Sequence, residues 1–375
     1  MITLKEIKEG KARLLIPDPS TYSKDGKFDP SWAPIFYNPR MVLNRDISVV
    51  ITKLAKVRRA LDAFTASGVR GIRYALEGGV EEVSFNDRNV EALQLAQKNA
   101  ELNQVKGKFL NLDARAAMLE GKYDFIDVDP FGTPAPFLVD STWAIKRNGI
   151  LGITATDLTA LEGAAPKACR RKYGALNEGL TPSKEVGLRI LVGSLIKSAA
   201  IAERTIEPLL CYYSDHYIRL FVKVISGAKR ADGGLESLGC VAECPSCLYA
   251  VTSDQPIRTC PRCGGRMKVA GPLWLGRLNE PSLLGQILKE ANSLELPSIG
   301  RIVSLMTKLE KEIVYIYRRL DKLSSIAHVS MPSRDKFYEC LRGIGREVTA
   351  THFDQRGFKT NATYEEIISC LRSQS

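Results

Sequence analysis

The sequence predicts an α/β protein: a doubly wound, Rossmann-like parallel sheet and a smaller C-terminal α+β domain carrying a four-cysteine zinc ribbon. Two observations support this prediction. Five short apolar runs between residues 60 and 153 alternate with helical patterns, as in a parallel sheet covered by helices. Further along, four cysteines form two C-x-x-C pairs that are twelve residues apart.

The elements of the predicted sheet follow one another in a regular order. The five strands are expected at 60–64, 82–86, 109–112, 123–129 and 149–153. Helical patterns follow the first three strands, ending near Leu76, running from about Val90 to Leu102, and starting at Ala114. A hairpin pairing 206–213 with 216–224 is expected to add an antiparallel end to the sheet.

Acidic residues follow four of these strands at or near their carboxyl ends. They are Asp62, Asp87, Asp113 and Asp129. In a doubly wound sheet the ligands bind at this edge. An acid after the second strand suits a ribose hydroxyl pair, and one after the third can accept a hydrogen bond from an adenine amine.

The turn after the first strand helps to choose between two cofactors. It offers only Gly68 and Gly71, whereas a nicotinamide dinucleotide site uses Gly-x-Gly-x-x-Gly to expose backbone amides to a pyrophosphate. Several carboxylates repel phosphates but tolerate a cationic sulfonium nucleoside. The pattern therefore favours S-adenosylmethionine over a dinucleotide.

The fourth strand ends in the turn Asp129-Pro130-Phe131-Gly132. Proline has no N–H, so this turn cannot continue a strand ladder and its carbonyl groups stay free. A carboxylate, free carbonyls and an aromatic ring suit a flat base with an exocyclic amine. The turn predicts amino-methylation, and by itself it serves a guanine or an adenine equally well.

A proline-rich stretch precedes this sheet. Five prolines lie in the stretch from Pro17 to Pro39, together with Trp32, Phe36 and Tyr37, which indicates a stiff loop that covers the site. Asn38 and Pro39 read as the N-cap and first residue of a helix to about Leu54. Phe36 is a candidate base contact, and Arg45 lies off the apolar stripe of that helix.

Four blocks resemble the tRNA (guanine-26-N2)-dimethyltransferases. They cover 36–46, 62–73, 127–134 and 152–157, and the similarity runs on to 351–353 and 359–362, so that it covers most of the chain. The resemblance implies a class I methyltransferase that uses S-adenosylmethionine to form N2-methylguanosine and then N2,N2-dimethylguanosine in tRNA. Wider amino-methyltransferases carry Asp/Asn-Pro-Pro-Tyr, with the aromatic residue one position later than Phe131.

The same resemblance implies a role for each site residue. Arg45 and Arg70 would hold the methionine carboxylate and nearby groups, and Asp87 would bind the ribose. Asp113 and Ala114 would border the adenine. Asp129 would accept a hydrogen bond from the guanine N2 amine. Phe36 and Phe131 would sandwich or flank the base.

The paired cysteine motifs predict a structural metal. Cys244, Cys247, Cys260 and Cys263 have the spacing of a tetrahedral zinc site, and four thiolates leave no position for a reacting water. Since no signal peptide is apparent, a disulfide framework is not expected. The remaining five cysteines are expected to be buried: Cys169, Cys211, Cys240, Cys340 and Cys370.

Composition and length bound the remaining expectations. The net charge of +11 over 375 residues suits a polyanionic partner such as tRNA. No apolar run has membrane-spanning length. We therefore expect a cytoplasmic protein that does not associate with a membrane and has no obligate protein partner. The predicted domains are 1–232, the methyltransferase, and 233–375, a tRNA-contacting domain with the ribbon at 240–265. Residues 227–239 read as the linker, 301–324 as one long helix, and 364–371 as the last helix.

Two further functions are consistent with the residues alone. One is an amino-methyltransferase that acts on rRNA or DNA, since the acceptor turn does not distinguish among these substrates. The other is a non-catalytic tRNA-binding protein with a relic pocket. The presence of Asp129, Arg45, Arg70 and Asp87 together disfavours that second interpretation, because a relic pocket is free to lose them.

Overall fold

The computed structural model describes residues 2–24, 27–311, 313 and 316–373. Its first elements are β1 (Leu4–Glu9), β2 (Ala12–Pro17), β3 (Ser23–Lys24), β4 (Lys27–Phe28), α1 (Val42–Leu54), β5 (Arg59–Asp62), α2 (Val69–Leu76), β6 (Glu82–Asn86), α3 (Val90–Leu102), β7 (Gly107–Leu110), α4 (Ala114–Leu119), β8 (Tyr123–Val128), α5 (Leu138–Ala144) and β9 (Ile145–Ala155). Short 3₁₀ helices lie at Pro30–Trp32, Pro39–Met41 and Ala135–Phe137.

The later elements complete the fold. They are α6 (Leu158–Leu161), α7 (Pro166–Tyr173), β10 (Leu176–Asn177), α8 (Ser183–Ala200), β11 (Arg204–Ser214), β12 (Tyr217–Ser226), α9 (Ala228–Glu236), β13 (Leu238–Glu243), β14 (Ala250–Ser253), β15 (Lys268–Trp274), α10 (Pro281–Ser293), α11 (Ile299–Lys311), β16 (Arg318–Arg319), α12 (Leu320–Ala327), α13 (Arg334–Gly343), β17 (Val348–Ala350), β18 (Gly357–Thr360) and α14 (Tyr364–Ser373).

The main sheet has the order β11-β12-β9-β8-β5-β6-β7. The strands from β9 to β7 pair in parallel, with Asp62 opposite Asp127 and Asp127 opposite Gly152. Their carboxyl ends therefore lie along one edge, as the alternating pattern predicts. All five predicted strands are present, and the α/β fold with a mainly parallel sheet is confirmed.

The chain forms two compact units, each made of three segments. Unit 1 contains residues 1–154, 219–226 and 281–306, and unit 2 contains 155–218, 227–280 and 307–375. The predicted single boundary at residue 232 falls inside unit 2, because the chain returns to unit 1 for β12 and again for α10. Unit 2 carries a four-stranded sheet, β10-β15-β13-β14, and a three-stranded sheet, β16-β18-β17.

The predicted linker at 227–239 is wrong, because residues Ala228–Glu236 form α9. Ala231 is buried in this helix. A Cβ added at Gly234 would lie 2.2 Å from Thr205 Oγ1 in β11. Gly234 therefore allows α9 to pack closely on β11, and the segment is not a flexible connection.

The predicted long helix at 301–324 is also wrong. Helix α11 ends at Lys311, and β16 and α12 follow. Arg318 pairs with Phe358 of β18, and its guanidinium donates to the carbonyl oxygens of Leu248 and Ala250 at 3.3 and 3.1 Å. These tertiary hydrogen bonds override the helical periodicity. The last predicted helix is confirmed as α14.

The remaining cysteines divide into two groups. Cys169, Cys211 and Cys240 are buried, as expected, and take no part in a disulfide. Cys340 and Cys370 instead form a disulfide, with Cα atoms 5.7 Å apart, because α13 and α14 pack side by side. Among the described residues no helix combines the length and the apolar character needed to cross a bilayer.

Candidate functional site

Asp129 directly follows β8, at the carboxyl edge of the sheet in unit 1. Its side chain is 20% exposed and forms an ion pair with Nη2 of Arg70, whose side chain is only 6% exposed. Burial opposes the charge of Arg70, but Asp129 and Asp127 raise the guanidinium pKa well above its ordinary value. The sheet edge therefore presents a carboxylate that is backed by a buried, permanent cation.

The two predicted base contacts meet above this turn. The rings of Phe36 and Phe131 are 4.7 Å apart at 83°, an edge-to-face arrangement. Phe131 is 72% exposed, whereas Phe36 is half-buried. Direct contact leaves no gap between the rings, so this arrangement suits flanking a base and not sandwiching it.

The segment after Phe36 forms as the sequence predicts. The side chain of Asn38 accepts a hydrogen bond from the Arg40 N–H and caps the 3₁₀ turn Pro39–Met41, which leads into α1. Phe36 therefore lies two residues before a capped helix start.

Arg45 lies in α1 but points into a buried ion pair. Its Nε and Nη2 bind Glu9 at 2.7 and 2.6 Å, and Nη2 also donates to the Asn38 carbonyl oxygen at 3.1 Å. Burial would raise the Glu9 pKa, yet Arg45, together with Arg73 and Tyr37, lowers it to about 2. The sequence places Arg45 off the apolar stripe of α1, but every residue from Leu43 to Thr52 is buried, and Arg45 is only 4% exposed.

Asp87 follows β6 and shapes the turn after β5. Its Oδ2 accepts from the Ala66 N–H at 2.9 Å, and its Oδ1 accepts from the Asn89 N–H at 2.8 Å. The residue is half-buried, and each carboxylate oxygen has further acceptor capacity. This arrangement suits a pair of ribose hydroxyl groups.

Asp113 follows β7 and caps α4. Its carboxylate accepts from the Arg115 backbone N–H at 3.0 Å and from Arg115 Nε at 2.9 Å. The Arg115 side chain keeps the pKa of this carboxyl below its ordinary value. Ala114 is buried beside it at the first position of α4.

Beneath these residues lies a buried polar network that the sequence analysis missed. Asp127 accepts from both Nη atoms of Arg219, from the Tyr74 hydroxyl, and lies 3.6 Å from Nη1 of Arg70. Burial disfavours its charge, but Arg219 and Arg70 more than offset this and lower the Asp127 pKa. Burial and the nearby Asp127 charge raise the Asp62 pKa to about 7.

One signal for this network was present in the sequence. Asp127 and Arg219 are charged residues with apolar neighbours on both sides in largely apolar strands, and a buried charge requires a partner. Pairing them from the sequence requires the order of β8, β9 and β12 in the sheet.

The predicted metal cysteines meet in unit 2. The Sγ atoms of Cys244, Cys247, Cys260 and Cys263 all lie within 4.8 Å of one another. Two of the pairs are 3.5 and 3.7 Å apart. Zinc–sulfur bonds of about 2.3 Å place tetrahedral sulfurs nearly 4 Å apart, so the cluster fits zinc. Four sulfur ligands would close the coordination sphere and make the ion structural.

Comparison with known proteins gives consistent results. The family model described as N2,N2-dimethylguanosine tRNA methyltransferase matches residues 10–372. A Metallosphaera sedula protein named tRNA (guanine(26)-N(2))-dimethyltransferase is 46% identical, covering 99% of this chain and 97% of its own. A Saccharolobus solfataricus protein of the same name is 44% identical, covering 99% of both.

A solved structure matches over nearly the whole chain as well. The complex of Trm1 from Pyrococcus horikoshii with S-adenosyl-L-methionine superimposes with a TM-score of 0.87 at 36% identity. The match covers 98% of this chain and 99% of that one.

Proposed function

The chain belongs to the N2,N2-dimethylguanosine tRNA methyltransferase family, and we propose that it methylates N2 of guanine 26 in tRNA with S-adenosylmethionine. Two successive transfers would give N2-methylguanosine and then N2,N2-dimethylguanosine. Because tRNA is its substrate, the cytoplasm is the proposed place of action.

The observation that carries the chemistry is the position of Asp129. A guanine amine is a poor nucleophile, since its lone pair is delocalised into the ring. By accepting hydrogen bonds from the amine, Asp129 and the carbonyl group of Pro130 would favour a tetrahedral nitrogen with a directed lone pair. Asp129 can also receive the proton that leaves as the new N–C bond forms.

The residues at the strand ends fit an adenosine with an amino-acid tail. S-adenosylmethionine would supply an electrophilic methyl group on a sulfonium. We propose that Arg70 holds the carboxylate, Asp87 the ribose, and Asp113 with Ala114 the adenine. Arg45 is proposed to act near the methionine end, where its bond to Glu9 fixes its position.

Phe131 is proposed to receive the target base. A paired or stacked guanine must leave its helix before it reaches Asp129, at a cost of a few kcal/mol. A ring that is 72% exposed beside Asp129 offers an aromatic face for stacking. Phe36 packs against that ring in an edge-to-face arrangement.

Further contacts with tRNA are proposed for the C-terminal domain, 233–375, with its zinc ribbon at 240–265. A second proposed contact is the last turn of α7, where Arg170 and Arg171 are exposed. The net charge of +11 supports binding to a polyanion.

The test is to incubate the protein with labelled S-adenosylmethionine and an unmodified tRNA transcript, and then to identify the nucleosides. We expect label in N2,N2-dimethylguanosine, and none when adenine replaces guanine 26. Label in a different nucleoside would refute the assignment of substrate. Binding of tRNA without any label would favour a non-catalytic protein.

A further inference from the structure

Arg70 and Asp129 have separate proposed roles but are bound to one another. Nη2 of Arg70 forms the ion pair with Asp129. Its Nη1 donates to Asn44 Oδ1 at 2.9 Å and lies 3.4 Å from Ser48 Oγ. Nη1 of the guanidinium is therefore hydrogen-bonded to neutral side chains. Nη2 pairs with the carboxylate of Asp129, which is proposed to bind guanine.

Asp127 takes its hydrogen bonds from residues other than Arg70. Arg219 meets both carboxylate oxygens of Asp127, at 2.8 and 2.9 Å, and the Tyr74 hydroxyl donates to it as well. The separation from Asp127 to Arg70 is longer, at 3.6 Å. Consequently, the positive charge of Arg70 is available to Asp129 or to an anionic group of a ligand.

We propose that Arg70 couples cofactor binding to capture of the base. Without the cofactor, Arg70 occupies Asp129 and competes with the guanine amine for that carboxylate. When Arg70 binds the carboxylate of the cofactor's amino-acid tail, its hold on Asp129 weakens, and Asp129 becomes free to accept from the amine. This inference rests on the proposed function and adds that the cofactor promotes binding of guanine-containing tRNA.

The exposures of the two side chains agree with this direction of exchange. Arg70 is buried and fixed by Asn44, whereas Asp129 is more exposed and precedes the open ring of Phe131. A base arriving from solvent would meet Asp129 first, with Arg70 already on its far side. If Arg70 only positioned Asp129 permanently, tRNA affinity would not respond to the carboxylate of the cofactor.

Two ligands that differ at this carboxylate provide the test. S-adenosylhomocysteine carries the amino-acid tail, and 5′-methylthioadenosine lacks it. We would measure the Kd of an unmodified transcript with no ligand and with each ligand at saturation, for guanine and for adenine at position 26. Coupling of typical size changes affinity by at least about 5-fold.

The expected result is that S-adenosylhomocysteine tightens binding of the guanine transcript by about 5-fold or more. Methylthioadenosine should leave the Kd unchanged, and neither ligand should affect the adenine transcript. Because such coupling is reciprocal, the guanine transcript should tighten the binding of S-adenosylhomocysteine to the protein by the same factor. Equal effects of the two ligands on a protein that methylates guanine 26 would overturn the coupling and leave the proposed function intact.

Variants of the two residues provide a second readout. Asp129→Asn keeps the shape but removes the charge, so the effect of S-adenosylhomocysteine on tRNA affinity should disappear. Arg70→Gln should abolish it too, and should tighten guanine-transcript binding in the absence of ligand. The exposed Arg58, which pairs with Glu81, supplies the control, since Arg58→Gln should keep the full effect. Persistence of the effect in both site variants would contradict the proposal.

Discussion

Arg219 in β12 and Asp127 in β8 form a bidentate ion pair, with Nη1–Oδ1 at 2.8 Å and Nη2–Oδ2 at 2.9 Å. Neither side chain has any exposed surface. Arg219 also donates to Thr154 in β9 and Ser48 in α1, so the pair links three strands to α1 beneath the candidate site. Removing either partner would leave the other charge buried without its main partner, and breaking a buried pair in this way typically costs about 3–5 kcal/mol.

Gly152 makes room for this pair. A Cβ at position 152 would lie 2.6 Å from Arg219 Nη2 and 3.0 Å from Phe125 Cζ. We expect Gly152→Ala to lower the free energy of unfolding by roughly 2–4 kcal/mol, because the guanidinium must shift away from Asp127. Denaturant unfolding measures this effect. The control is Gly285→Ala, where the added Cβ meets open space within α10 and should not destabilise. Equal stabilities of the two variants would contradict this role for Gly152.

Asp62 should make stability depend on pH near neutrality. Its pKa is raised from 3.8 to about 7, so the folded state keeps a proton on Asp62 up to a higher pH than the unfolded chain does. The resulting stabilisation is complete below the unfolded pKa and is lost as the pH rises through about 7. The free energy of unfolding of the wild type, relative to that of Asp62→Asn, should therefore fall by up to a few kcal/mol between pH 5 and pH 8. Urea unfolding of both proteins across this range tests the claim, and a constant difference would refute it.

The disulfide should stabilise unit 2. Cys340 and Cys370 are 30 residues apart, and closing a loop of this size contributes about 3–4 kcal/mol in the chain-entropy model. A reductant should therefore lower the Tm of the wild type by several degrees. The double variant Cys340→Ala/Cys370→Ala should start from that lower Tm and show no further loss on reduction. An equal response of both proteins would mean that reduction acts elsewhere.

The cysteine cluster should bind one zinc ion per chain. Cys260→Ser should lose the metal, while Cys240→Ala should keep it, because Cys240 lies outside the cluster. Chelation should increase amide hydrogen exchange in residues 240–265 and leave the affinity for S-adenosylhomocysteine unchanged, since four sulfur ligands make a structural site. Metal analysis and exchange mass spectrometry provide the readouts. Loss of cofactor affinity on chelation would show that the ion supports the active site directly.

Sequence patterns predicted the parts of this protein that depend on local order. The strand periods, the acids at the strand ends and the C-x-x-C spacing each lie within a short segment. By contrast, Asp127 and Arg219 are 92 residues apart and meet only when the sheet forms. The same reasoning explains α9, since the glycines of 227–239 suggest a linker, whereas Gly234 permits close contact with Thr205 in a strand that precedes it in the chain. The break after α11 likewise depends on the pairing of Arg318 with Phe358 in a distant strand.

The most direct test of the account concerns Asp129. Single-turnover methylation of an unmodified tRNA transcript would be followed with saturating S-adenosylmethionine, for the wild type and for Asp129→Ala. Asp124→Ala, at the opposite end of β8, serves as the control and should react at nearly the wild-type rate. If Asp129 accepts the guanine amine, its variant should react at least about 100-fold more slowly while binding S-adenosylhomocysteine no more weakly. A rate near that of the wild type would remove Asp129 from the chemistry and contradict the proposed mechanism.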